Sequence, residues 1–106
     1  MGICVKDLKH FATTVLQCEL ENDGDHVRYT LRVNSKDIAT FKYSRSWRGN
    51  FQIPEFILHK QAQSMHCPLQ MWKALIQERI SKEVYFRTLL KQELIDQVDF
   101  ETLCKR

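Results

Sequence analysis

Residues 26 to 48 gather the side chains of this chain that could act on a phosphodiester. His26 can take up or release a proton near neutral pH. Arg28, Arg32 and Lys42 could hold phosphate oxygens and offset charge that develops on phosphorus. Cleavage of RNA through the ribose 2′-hydroxyl needs both a base for the hydroxyl and positive charge beside the phosphate. Two further cations, Arg45 and Arg48, flank Trp47, and an indole among guanidinium groups can stack on an unpaired base. Each feature has an ordinary alternative: strand cations that only solvate a sheet face, and a tryptophan that closes the edge of a core.

The charge is unevenly spread. The chain carries +3 overall, yet residues 26 to 48 hold six lysines and arginines against Asp37 alone, a local +5 that leaves −2 for the remainder. A basic block in an otherwise mildly acidic chain is the footprint expected of a phosphate-binding surface. RNA or another nucleic acid is therefore the expected partner.

Other chemistries find less support. Cys4, Cys18, Cys67 and Cys104 form no C-x-x-C pair, which argues against a zinc site and a disulfide scaffold and suits reduced thiols. His59 and His66 are seven residues apart beside Cys67, but Pro68 follows and a fourth ligand is missing, so no metal site is expected. His10 reads as a boundary residue of a helix. There is no glycine-rich phosphate loop and no Ser-His-Asp arrangement, and no cofactor is expected. No apolar run reaches the roughly 18 residues of a membrane span. MGICVKDLKH lacks the form of a signal peptide, and Lys6 stands where a myristoylation motif takes Ser or Thr, so a cytoplasmic protein is expected.

The elements that must position His26 follow from periodicity. Val5, Leu8, Ala12, Val15 and Leu16, widened by Phe11 and Leu20, predict a helix over 5–20, ended by the turn Glu21-Asn22-Asp23-Gly24-Asp25. Residues 26–33 alternate: Val27, Tyr29, Leu31 and Val33 face one way, His26, Arg28, Thr30 and Arg32 the other. Asn34-Ser35-Lys36-Asp37 predicts a hairpin turn into a second strand over 38–44, with Ala39, Phe41 and Tyr43 inward and Thr40 and Lys42 outward. SRSWRGNFQIP, residues 44–54, breaks the pattern and reads as a loop, or as a loop with a short third strand near Phe51 to Ile53. Helices are predicted over 54–66, 69–77, Lys82 to about Ile95, and Val98 to Cys104, the last one short and prone to fray. The class is α+β: an N-terminal helix, a small antiparallel sheet of two or three strands, then three or four helices on one face. A chain of 106 residues suits one domain, with helix and sheet in 1–53 and a helical part in 54–106.

Gly24-Asp25-His26, opening a strand after a helix and a turn and followed by a hairpin and a helix, resembles the HicA toxins. These are small ribonucleases of toxin–antitoxin systems with a double-stranded-RNA-binding-domain-like fold and a Gly-Ser-His signature. HicA-like proteins with a longer helical tail are similar over about Lys6 to Leu90, with strands like HVRYTLRVNSKDIATFKYS and helical segments like LHKQAQSMHC and ISKEVYFRTLL. The resemblance implies that His26 is catalytic, that the substrate is messenger RNA, and that an antitoxin covers the site. Two departures bear on this. Asp25 stands in place of the signature Ser, and Ser44-Arg45-Ser46-Trp47 stands where a Ser-His-Gly-like turn belongs. One imidazole cannot serve as both acid and base. The alternative is a module that binds nucleic acid or protein without cutting, such as a phage or mobile-element inhibitor of a nucleic-acid-handling complex.

Overall fold

The computed structural model describes residues 2–106 and is α+β, as the patterning predicts. Helix α1 spans Val5–His10 and continues as a wider π-helical turn over Phe11–Val15. Strands β1 (Glu19–Asp23), β2 (His26–Val33) and β3 (Lys36–Ser44) form an antiparallel sheet in the order β1-β2-β3. Four helices follow: α2 (Glu55–Ser64), α3 (Leu69–Ile76), α4 (Lys82–Lys91) and α5 (Gln97–Cys104).

The long first helix is the main correction. Thr13, Thr14 and Val15 are β-branched and poor helix formers. There the ladder widens, with the Leu16 N–H donating to the Phe11 carbonyl at 2.9 Å, and Gln17 at φ +55° turns the chain out of the helix. Residues 19–23 then form the third strand, opposite Thr30 to His26 of β2. Leu20, expected on the helix stripe, sits on this edge strand with 56% of its surface exposed. Of the two readings of 44–54 the loop holds: Phe51–Ile53 contributes no strand, only one bridge between Gln52 and Cys4.

Both hairpin turns are two residues long. Gly24, at φ +60°, takes the first central position of one, a conformation that suits glycine. Asn34 and Ser35, at φ +50° and +65°, both lie in the left-handed region, as a type I′ hairpin requires. The second strand therefore starts at Lys36, two residues before the expected boundary, with a bulge at Leu31/Arg32.

The core lies between the inner sheet face and the helices. Tyr29, Leu31, Val33, Ala39, Phe41 and Tyr43 are buried as the alternation requires, against Leu8, Phe11 and Leu16 of the first helical segment and Trp72, Leu75 and Leu89 of α3 and α4. On α2 and α4, Leu58 and Phe86 are buried, while Phe56 and Val84 are exposed. Helix α4 stops at Lys91 because Glu93, at φ +61°, ends it.

Helix α5 is fixed at its N-terminus. Asp99 is buried and accepts hydrogen bonds from Asn34 Nδ2 (2.8 Å), Lys36 Nζ (2.7 Å) and the Asp96 N–H (3.1 Å), while Asp96 caps the Asp99 N–H in return. Burial alone would raise its pKa, but these donors outweigh burial and hold the carboxyl down at about 2. An Asp99→Ala variant should lose about 2 kcal/mol of stability in urea unfolding. The contribution of the carboxylate is complete above its ordinary value of 3.8 and disappears as pH falls through about 2. Asp99→Asn should therefore show a flatter loss of stability over that acid range than wild type.

Candidate functional site

The free edge of β3 faces α2, and a buried amide joins them. Gln61 Nε2 donates to the Lys42 carbonyl at 2.9 Å, and Gln61 Oε1 accepts from Trp72 Nε1 at 3.2 Å. The Trp72 ring packs edge-on against Phe41 and Phe11, with centroids 5.0 and 5.6 Å away. Strand edge, α2 and α3 are thus held at fixed spacing. Between β3 and α2 a cleft of about 600 Å³ remains. Phe41, Tyr43, Trp47 and Ile57 give it apolar walls, and His26, Arg28, Lys42 and Lys60 are its basic side chains.

His26 is half-buried at the start of β2, opposite Asp23 on β1 and Ser44 on β3. The hairpin turn that precedes it is tied to the loop after β3 by the Arg45 N–H, which donates to the Asp25 carbonyl at 2.8 Å. His10, His59 and His66 do not line this cleft, so His26 is its one imidazole among the described residues. His10 lies 3.8 Å from Glu78. No group of three metal-ligating side chains forms among the described residues. All four cysteines are free, and burial pushes the Cys18 and Cys67 thiols up to about 12, which keeps them protonated and unreactive at neutral pH.

The expected cations divide into three groups. Lys42 and Arg28 line the cleft, but Arg28 is engaged by Asp23 at 2.5 Å. Arg32 lies towards the far end of β2, bonded to Asp37 at 2.6 Å and 3.5 Å from Glu19. Arg45 and Arg48 sit exposed in the loop after β3, outside the cleft lining. The sheet face is therefore not the uniformly cationic surface that residues 26–48 suggest. Strand β1, read from sequence as the end of a helix and a turn, places Glu19, Glu21 and Asp23 beside β2, with Glu21 directly opposite Arg28. Such exposed pairs add little stability, yet they occupy the guanidinium groups.

Trp47 stands at the margin between core and cleft. One side stacks on Phe51, centroids 4.6 Å apart, which closes a margin of the core, and the residue also lines the cleft. Helix α2 adds a residue the sequence reading missed. Lys60 lines the opposite wall, 6.0 Å from the Phe56 ring. Its only sequence signal is the Phe56/Lys60 spacing of one helical turn, which does not say which face meets β3. The ion pairs of the described residues involve His10, Arg28, Arg32, Lys36, Lys73 and Arg87, leaving Lys42 and Lys60 without a carboxylate partner.

No helix among the described residues is long and apolar enough to cross a membrane. Comparison with known protein families, curated proteins and solved structures gives no match.

Because Gln61 satisfies two buried partners, Gln61→Leu should cost about 1–3 kcal/mol in chemical denaturation, the penalty of stranding the Lys42 carbonyl and the Trp72 indole N–H. A neutral effect would show that water replaces the amide.

Proposed function

We propose that this protein is a HicA-like RNA-binding protein that takes RNA in the cleft between β3 and α2, with His26 placed to exchange a proton with a ribose 2′-hydroxyl. One observation carries the reading: Lys42 and Lys60, two cations with no internal carboxylate, converge with His26 and Trp47 on one cleft. The residue types match the task. Phosphate oxygens are held by ammonium groups that no carboxylate already occupies, a base face meets an aromatic wall, and an imidazole stands alongside. If cleavage occurs, His26 takes the 2′-hydroxyl proton as oxygen attacks phosphorus, and the 5′-oxygen leaves with a proton from water. With a single imidazole, proton donation to the leaving group is the weaker half of such a mechanism.

A non-catalytic binding module is the second reading, favoured by two specific features. Asp25 stands immediately before His26, and the cleft offers one imidazole among the described residues. A protein partner, whether an antitoxin or another complex, would then meet the same face.

Binding to a mixed-sequence oligoribonucleotide should weaken steeply with salt. Lys42→Ala and Lys60→Ala should each lower the log–log salt slope by about 0.7–1, whereas Arg32→Ala should change it little. An effect at Arg32 with none at Lys60 would place the RNA on the open sheet face instead. For chemistry, purified protein should cut this RNA in the presence of EDTA, and His26→Ala should not. Intact RNA with wild type, alongside salt-sensitive binding, selects the non-catalytic reading.

A further inference from the structure

The cleft straddles a strand edge, and that edge is only partly used. The Lys42 carbonyl is bonded by Gln61, so the peptide groups of Lys42 point away from β2. Antiparallel pairing alternates every residue, which turns those of Thr40 and Ser44 the same way. The Arg45 N–H bonded back to the Asp25 carbonyl fits this alternation. The Ser44 carbonyl is taken by the Trp47 N–H. The N–H groups of Lys42 and Ser44 and both peptide groups of Thr40 therefore face the cleft, beside apolar walls made by Tyr43, Trp47 and Ile57.

Building on the RNA-binding reading above, we propose that this cleft is a pocket for an unpaired nucleobase, which lies against Trp47 and Ile57 with its hydrogen-bonding edge on the β3 backbone and its phosphate on Lys42 and Lys60. Each part of a nucleotide finds a matching surface. The base is a flat apolar ring with donors and acceptors confined to its rim, and the cleft has apolar walls with backbone donors and acceptors along one side. The phosphate is anionic, and Lys42 and Lys60, neither of which is paired with a carboxylate among the described residues, both line this cleft. A volume of about 600 Å³ falls within the range of small-ligand sites and suits a nucleotide or two. A duplex keeps its bases stacked and paired, so it offers such a cleft only sugar and phosphate. The site accordingly selects unpaired RNA. An extended peptide could use the same edge groups, but it has no general need for two ammonium groups.

Fluorescence anisotropy with three labelled 10-mers separates the outcomes: a single strand of mixed sequence, the same strand in a perfect duplex, and the strand with abasic residues at every second position. The duplex and the abasic strand should each bind at least tenfold more weakly than the intact single strand. Trp47→Ala should narrow the gap between intact and abasic strands, and Ile57→Ala should do so without disturbing the Trp47–Phe51 stack. Equal affinity for all three strands, still weakening with salt, overturns the base pocket and leaves RNA binding intact. If none of the strands binds, the base pocket and the RNA-binding reading both fail, and shifts of the β3 edge with an extended peptide would assign the cleft to a protein partner.

Discussion

Gln61 stands where α2 meets the free edge of β3, and its amide is satisfied on both sides by groups from different elements. Its donor reaches the Lys42 carbonyl and its acceptor receives the Trp72 indole. A buried polar group is costly unless paired, so the contact tolerates only one placement of α2 against the sheet. That placement keeps the β3 edge from being covered completely by helix. It also brings Lys60 opposite Lys42 and leaves between them a space lined by Trp47 and His26. The cleft is a consequence of how one side chain is satisfied.

Electrostatics decides which part of the basic sheet remains available. An antiparallel meander sets β1 beside β2, and the outward residues of β1 are acidic. Arg28 and Arg32 are matched by Asp23, Glu19 and Asp37 within a few ångströms. The Lys36 ammonium is drawn the other way, onto Asp99 of α5, where it helps anchor the hairpin turn to the last helix. Of the basic block in residues 26–48, Lys42 at the β3 edge and Arg45 and Arg48 in the loop after it have no carboxylate partner among the described residues, and Lys60 of α2 faces the same cleft as Lys42.

The hairpin was legible because a period of two and a turn of Asn34-Ser35 are local signals, and the inward set Tyr29, Leu31, Val33, Phe41 and Tyr43 follows from them. The helices of the second half were legible in outline for the same reason. Strand β1 was not, because Leu16 and Leu20 stand one helical turn apart and imitate a continued stripe, while the end of the helix depends on Gln17 adopting positive φ. His26, Arg28, Lys42 and Trp47 do come together, but Arg32, Arg45 and Arg48 do not join them. Gln61 reads in sequence as a surface polar residue, and Lys60 as one of several exposed cations. Their positions depend on which face of α2 meets β3. Likewise Asp99 meets Asn34 and Lys36 across 65 and 63 residues of chain. Such contacts leave no periodic trace.

RNA is proposed to lie at the β3–α2 cleft and not on the open face of the sheet. Titration of ¹⁵N-labelled protein with a short single-stranded oligoribonucleotide, followed by amide and indole chemical shifts, tests it residue by residue. The amides of Lys42 and Ser44, the Trp47 indole and the α2 segment from Lys60 to Ser64 should shift together, while the amides of Glu19 to Asp23 stay in place. Shifts concentrated on β1 and around Arg28 and Arg32, or no shift at any residue, would contradict that placement.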